Sequence, residues 1–151
     1  MPVSSENKNG PYKPQPIKKV STTTVVNPGF FAYTNLTGCQ PYYCAEQVHL
    51  INNITVTALT IIIRVQKTSA ATYHGVANNF WTGYINSNHT DNGSQIIYTF
   101  VLDPTQTVVA STTWYVEAQM DLYGTSQVTS ADTYTVSVTG GGITNSYSGH
   151  F

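Results

Sequence analysis

The chain has 151 residues, only 9% of them charged, and a net charge of −1 at pH 7. One core suffices at this length, and beyond residue 20 the only Lys or Arg residues are Arg64 and Lys67, too few to neutralise several phosphates. The longest apolar run, 59–63, is interrupted by Thr60 and falls short of the roughly 18 residues that span a bilayer. We therefore predict no nucleic-acid partner and no membrane partner, and expect neutral ones.

Residues 1–20 differ in composition from the rest of the chain. They hold four of the seven prolines and four of the six Lys and Arg residues, with almost nothing to bury, which predicts an extended arm or linker. The segment has no apolar stretch of the kind found in a signal peptide. We nevertheless expect a secreted, extracellular protein from the low charge and from the cysteine pair at positions 39 and 44.

Short β-branched runs follow the arm. Residues 21–27 and 47–52 each end in a turn sequence, which is typical of strands. In the next run, 55–67, the apolar positions change phase between Ala58 and Leu59. This change predicts a β-bulge near these two residues.

Four more alternating runs complete the pattern. In 95–102 both alternating sets are apolar or β-branched, which predicts a central strand covered on both faces. The runs 113–121 and 133–139 have a period of two, and a Gly triplet leads from the second into 143–148. Their predicted inward sets are Trp114, Val116, Ala118 and Met120, and then Tyr134, Val136 and Val138. With no helical periodicity, residues 21–151 are predicted to form an all-β antiparallel sandwich of about eight or nine strands.

Cys39 and Cys44 are separated by four residues. This spacing differs from a two-residue redox motif, and two further zinc ligands are missing nearby. A disulfide and a free buried pair remain as alternatives, and we predict the disulfide. N-glycosylation acceptor sequences place candidate modification sites at Asn35, Asn53, Asn88 and Asn92.

Several stretches resemble a known family of binding modules. TALTIIIRVQKTSAATYHG (57–75), IIYTFVLDPTQTVVASTTWYVEAQ (96–119) and SADTYTVSVTGGG (130–142) with the closing SGHF are similar to the small β-sandwich carbohydrate-binding modules attached to secreted microbial cellulases and chitinases. The likeness covers roughly residues 21–151. It implies a non-catalytic module that holds a protein on insoluble β-glucan or chitin. The cysteine pair is a departure from that pattern.

Aromatic residues supply 12% of the chain, eleven of them Tyr, more than a core of this size needs. Exposed rings can stack on the apolar face of a β-linked sugar while polar side chains bond its hydroxyls. Trp114, Tyr98, Phe100 and Tyr134 are in phase with aliphatic residues and are assigned to the core. Trp81 lies outside any alternation, so it is either a binding platform or a plug over one end of the sandwich. The predicted carbohydrate-binding residues are Trp81 with Tyr84 and Tyr73, Tyr42 and Tyr43 on the cysteine loop, and Tyr115.

Catalysis is not expected. Glycoside hydrolysis needs two carboxyls flanking one cleft, and Glu117 and Asp121 fit the sequence better as solvated rim residues. The four histidines are not at metal-ligand spacing, and no nucleophile or phosphate-binding motif occurs. We therefore predict no metal and no cofactor.

Self-assembly is the alternative function. Open sheet edges accept an added strand, and residues 17–26 of a neighbouring subunit offer a suitable one. Residues 1–26 are therefore the predicted contact of a homo-oligomeric filament or matrix.

Overall fold

The computed structural model describes residues 29–151. The predicted arm (1–20) and the predicted strand at 21–27 lie outside the described residues. The described chain forms nine strands and one three-residue 3-10 turn, Thr129–Ala131: β1 Phe30–Gln40, β2 Tyr43–Asn52, β3 Val56–Gln66, β4 Thr72–Asn78, β5 Ile85–Asp91, β6 Gln95–Leu102, β7 Thr112–Asp121, β8 Thr133–Gly140 and β9 Ile143–His150.

The strands form two antiparallel sheets that pack face to face. Sheet A has the order β1-β2-β7-β4, and sheet B has the order β5-β6-β3-β8-β9. This arrangement confirms the predicted antiparallel β-sandwich. Within residues 29–151, no helix has the length and hydropathy needed to cross a membrane.

The alternating segments supply the core as predicted. The inward sets of β7 and β8 are buried, apart from Tyr134, which is half-buried at the core margin. The deeply buried Tyr98 keeps its polar end satisfied, because its hydroxyl donates to the Gln119 carbonyl at 2.6 Å. Burial of each large apolar side chain contributes about 1.5–3 kcal/mol, so these sets hold the two sheets together.

The predicted bulge in β3 is confirmed. The pairing of β3 with β8 shifts register between Val56 and Ala58. Val56 is fully buried, Ala58 is exposed and Leu59 is buried again. The extra residue therefore produces the phase change that the apolar pattern shows.

β6 is a central strand, as predicted, but the prediction that both of its faces are covered is wrong. The strand lies between β5 and β3, and Ile96, Tyr98 and Phe100 are buried. No strand covers its other face within the described chain, where Val101 is 38% exposed. The β-branched residues on that face reflect strand propensity rather than burial.

Three of the four edge strands, β1, β4 and β5, are not revealed by the sequence patterns. β1, β4 and β5 bury few side chains, and all residues of β5 after Ile85 are exposed. β5 is held by its pairing with β6, which runs from Ile85↔Leu102 to Asp91↔Ile96. Backbone pairing leaves no periodic mark in the sequence when the side chains of a strand face water.

The cysteine pair closes the hairpin between β1 and β2. Cys39 and Cys44 form a disulfide, as predicted, and Gln40 pairs with Tyr43 across the turn. The bond links the end of the edge strand β1 to β2. Its cysteine on β2, Cys44, is fully buried.

Two carboxyls lie inside the sandwich. Glu46 of β2 and Asp132 at the start of β8 are both fully buried. Asp132 accepts the Gln66 N–H at 2.6 Å and the Gln127 side-chain amide at 3.2 Å, whereas the oxygens of Glu46 have no hydrogen-bond partner in the described chain. Burial raises the pKa of Glu46 to about 10, and the adjacent Asp132 carboxyl adds to the shift. Glu46 is therefore protonated at neutral pH.

This raised pKa predicts that the protein loses stability as pH rises. The unfolded chain releases the Glu46 proton above its ordinary pKa of about 4.3, whereas the folded chain holds it until about pH 10. The stabilising contribution of the protonated Glu46 is complete below its unfolded pKa. Between the unfolded pKa and the folded pKa it is lost at up to about 1.4 kcal/mol per pH unit. Glu46→Gln should flatten the free energy of unfolding in urea between about pH 5 and pH 9. Asp103→Asn, a change in an exposed turn, is the control; equal slopes in the wild type and Glu46→Gln would contradict the assignment.

Candidate functional site

A row of aromatic side chains crosses the outer face of sheet A. Tyr33 of β1 pairs in register with His49 of β2, which pairs in turn with Tyr115 of β7. Their ring centroids are 4.6 Å and 5.5 Å apart, and Phe31 lies beside Tyr33 at 6.0 Å. We call these four residues, Phe31, Tyr33, His49 and Tyr115, the aromatic strip.

The rings of the strip differ in how much surface they offer. Tyr33 and His49 are stacked, with 13° between their planes, so each covers part of a face of the other. Phe31 is 59% exposed and Tyr33 37% exposed, whereas His49 and Tyr115 are half-buried. Open ring surface therefore lies mainly at the β1 end, and the two inner rings support it.

A row of polar side chains, with amides, a hydroxyl and a carboxylate, runs alongside the strip. It begins at the next outward-facing position along each strand. Gln47 donates to Glu117 Oε2 at 2.6 Å, and Gln119 donates to Glu117 Oε1 at 2.5 Å. Asn35 donates to Gln47 Oε1 at 3.4 Å, and Thr37 donates to Glu117 Oε2 at 3.4 Å. We call these five residues the polar row. Their mutual bonds hold the side chains in one arrangement, which reduces the entropy lost on binding a ligand.

His49 joins the strip to the polar row. Its Nε2 donates to Gln47 Oε1 at 2.9 Å, and burial lowers the pKa of His49. The imidazole is therefore neutral at neutral pH, and the strip carries no positive charge.

The lowered pKa of His49 predicts a contribution to stability that is lost on acidification. The unfolded chain takes up a proton at His49 near its ordinary pKa of about 6.5, whereas the folded chain resists it. Because the contribution of Glu46 has the opposite sign, the test compares variants: as pH drops from about 7 to about 5, the free energy of unfolding of the wild type should decrease relative to that of His49→Phe, which keeps a ring without a titrating group. An NMR titration should place the His49 pKa below about 6.5. A midpoint at or above that value would contradict the burial argument.

Trp81 lies in the loop between β4 and β5, and Asn79 fixes that loop to β7. The Asn79 side chain accepts the Tyr115 N–H at 2.6 Å, and the Asn79 N–H donates to the Tyr115 carbonyl at 3.3 Å. Trp81 follows two residues later and is 50% exposed. Its ring meets Tyr84 at 5.1 Å and the core Trp114 at 5.4 Å, both nearly perpendicular. Trp81 thus covers part of the core and also presents open ring surface, on a loop that is bonded to the Tyr115 backbone through Asn79.

The other predicted residues lie apart from Trp81. Tyr73, at the opposite end of β4, stacks on His89 of β5 at 3.5 Å and bridges the two sheets. Tyr43 packs edge-on against His74 at 5.3 Å. Tyr42 is 73% exposed in the turn of the cysteine hairpin. The structure therefore brings Trp81 and Tyr84 together, places Tyr115 in the strip, and leaves Tyr73, Tyr42 and Tyr43 elsewhere.

Phe31, Tyr33 and His49 were not among the sequence-based candidates. The first two belong to β1, whose residues were not recognised as a strand. The available signal was an alternation in residues 30–35, where Phe31, Tyr33 and Asn35 fall on one face and the residues between them on the other. The alignment with His49 depends on cross-strand register, which no local pattern contains.

The four glycosylation candidates are distributed unevenly. Asn53, Asn88 and Asn92 are exposed and lie outside the strip and the polar row. Asn35 belongs to the polar row through its bond to Gln47. A glycan on Asn35 would cover the strip, so modification there and use of the face are mutually exclusive.

No family model and no curated protein sequence matches the chain. Among solved structures, the full-length major pilin SpaD from Corynebacterium diphtheriae has a TM-score of 0.55 at 9% identity and matches 80% of this chain and 34% of its own. BcpA, the major pilin subunit of Bacillus cereus, has a TM-score of 0.51 at 9% identity over 79% of this chain and 38% of its own. This chain thus spans little more than a third of either pilin chain.

Carbohydrate-binding modules also appear among the structural neighbours. The CBM3b module of the scaffoldin subunit ScaA from Acetivibrio cellulolyticus matches 70% of this chain and 90% of its own at 12% identity, with a TM-score of 0.46. At 9% identity the two pilin likenesses support the fold alone, so the function has to be argued from the face itself.

Proposed function

We propose that the protein is a secreted, non-catalytic module that adheres to a neutral β-linked polysaccharide such as cellulose or chitin. The observation that supports this function best is the aromatic strip lying beside the polar row on one face of sheet A. The strip supplies ring surface and the row supplies donors and acceptors, the two components that sugar binding requires.

Open ring surface lies at the β1 edge, where Phe31 and Tyr33 are exposed, and Trp81 is also exposed, in a loop that Asn79 bonds to the Tyr115 backbone. The C–H face of a β-linked sugar stacks on such rings, and its hydroxyls reach the amides of Gln47 and Gln119. A chain lying across β1, β2 and β7 would contact the strip and the polar row at once, over two interstrand spacings of about 4.8 Å.

The electrostatics of the face suit a neutral ligand. His49 is neutral at physiological pH because burial lowers its pKa. The Glu117 carboxylate is bonded on both oxygens by amides and a hydroxyl of the same face. A carboxylate committed in this way positions the amides and is poorly placed to attack or protonate a glycosidic bond, which supports a non-catalytic role.

The extracellular setting is supported by the disulfide between Cys39 and Cys44, since such bonds persist in oxidising compartments. The low charge adds to this support, because a surface rich in hydroxyls and amides approaches an uncharged polymer without an electrostatic penalty.

Removing the exposed rings should release the protein from insoluble polysaccharide. Stacking on one aromatic ring contributes about 1–3 kcal/mol in sequence-tolerant strand binding, so Tyr33→Ala and Trp81→Ala should each weaken binding by roughly 5- to 150-fold. Their combination should abolish retention in pull-downs on microcrystalline cellulose or chitin. Circular dichroism and thermal melting would confirm that each variant remains folded.

Tyr42→Ala is the matched control, because Tyr42 is also an exposed tyrosine but lies in the hairpin turn away from the strip. Its retention should equal that of the wild type. Retention that survives the Tyr33 and Trp81 changes, or that is lost with Tyr42→Ala alone, would place binding elsewhere.

A second candidate function is self-assembly into an extracellular filament or matrix. It is favoured by β1, an eleven-residue strand at the edge of sheet A that contains no charged residue and no proline. Natural sheets usually protect such edges with charges, prolines or short strands.

A further inference from the structure

Within residues 29–151, β1 pairs only with β2, and the backbone groups that point to its other, open edge can be assigned to residues. The Gly29 carbonyl accepts the Asn53 N–H at 2.8 Å, so the backbone of Gly29 faces β2. The Phe30 carbonyl faces away from β2, because it accepts the Tyr147 hydroxyl at 3.4 Å. Since these directions alternate along an antiparallel strand, the N–H and C=O groups of Ala32, Thr34 and Leu36 point to the free edge.

The other edges of the sandwich are less open. β4 and β5 lie on one side, where the stacked rings of Tyr73 and His89 join the two sheets, and β4 shifts register between Tyr73 and Gly75. β1 has 11 residues, against 7 for β4, 7 for β5 and 8 for β9. Its register with β2 is unbroken from Phe30 to Thr37. β1 is thus the longest edge strand of the described chain, and its unbroken register of eight residues equals that of β9.

The interlayer space beside β1 is incompletely filled. Leu36 pairs with the fully buried Glu46 and so shares its inward face, yet Leu36 is 42% exposed. On the facing sheet, Asn145 of β9 has a buried side-chain nitrogen with no hydrogen-bond partner among residues 29–151. The exposure of Leu36 and the unpaired amide nitrogen of Asn145 both cost free energy. A further strand beside β1 would cover Leu36 and bring a hydrogen-bond acceptor towards Asn145.

The chain preceding β1 offers a strand of matching chemistry. In Val20–Val26, Val20, Thr22, Thr24 and Val26 fall on one face, a small-and-hydroxyl pattern like that of Ala32 and Thr34. Residues 27–29 alone connect this segment to β1, and they span at most about 10 Å, so a segment that pairs with a second copy holds the two subunits directly side by side.

We propose that the free edge of β1 is an acceptor site for residues Val20–Val26 of a second copy of this chain, which pair with Ala32, Thr34 and Leu36 and complete sheet A. The inference rests on the second proposed function, self-assembly, and names its contact. Each chain carries one donor segment and one acceptor edge, so the interface is head-to-tail and generates an open polymer unless it closes into a ring.

The test uses a proline on the acceptor edge. Thr34→Pro removes an N–H that points away from β2, which an edge strand tolerates, while Thr34→Val is the matched control that keeps this donor. In sedimentation velocity the intact chain and Thr34→Val should form concentration-dependent assemblies, whereas Thr34→Pro and a chain lacking residues 1–26 should sediment as monomers. Circular dichroism would establish folding, and retention on polysaccharide should be unchanged in Thr34→Pro.

A synthetic peptide of residues 17–27 provides an independent measurement. It should bind the chain lacking residues 1–26 in a fluorescence polarisation titration, with affinity at least tenfold weaker for Thr34→Pro. If folded Thr34→Pro still assembles while the chain lacking residues 1–26 does not, self-assembly stands and the assignment of the acceptor site to β1 is wrong. An intact chain that is monomeric at all concentrations would overturn both. If Thr34→Pro fails to fold, absence of peptide binding to the deleted chain overturns the proposal.

Discussion

The antiparallel register of β1, β2 and β7 is the constraint on which the proposed binding face depends. It places Tyr33, His49 and Tyr115 in one row and places Val48 and Val116, their neighbours along the strands, in the core. A slip of one residue would turn the rings inward and expose the valines. Because each buried valine contributes about 1.5 kcal/mol or more, the packing of the sandwich fixes the alignment of a surface that it does not touch.

Polar groups are organised by the same pairing. Along β2, the outward Gln47 and His49 alternate with the inward Glu46 and Val48. The outward pair builds a hydrogen-bonded surface, whereas the inward Glu46 is neutralised by burial, which raises its pKa to about 10. Glu46 therefore carries no charge in the core, and on the outer face the Glu117 carboxylate is bonded by the amides of Gln47 and Gln119. The result is a surface suited to uncharged material, and the same low charge leaves the β1 edge unprotected against a neighbouring strand.

The sequence predicted the parts of this structure that depend on burial. Alternation in β7 and β8, the bulge at Val56 and Ala58, and the disulfide were all recoverable, because each leaves a local periodic or spacing signal. β1 and β5 were missed because their stability comes from backbone pairing. The aromatic strip was found only at Tyr115, because its other rings join it through register, and a cross-strand alignment is a relation between segments far apart in the chain.

The central claim is that the aromatic strip and the polar row on the outer face of sheet A, together with the Trp81 loop, contact a neutral β-linked sugar chain. The most direct test is an NMR titration of the isotope-labelled full chain with soluble β-1,4-linked gluco- and N-acetylglucosamine oligosaccharides. Saturable shifts should concentrate on the amides of residues 31–37, 47–49, 79–84 and 113–119, with the outer face of sheet B unperturbed. Saturable shifts confined to β5, β6 and β9, or no shifts at oligosaccharide concentrations well above those that bind comparable modules, would contradict it.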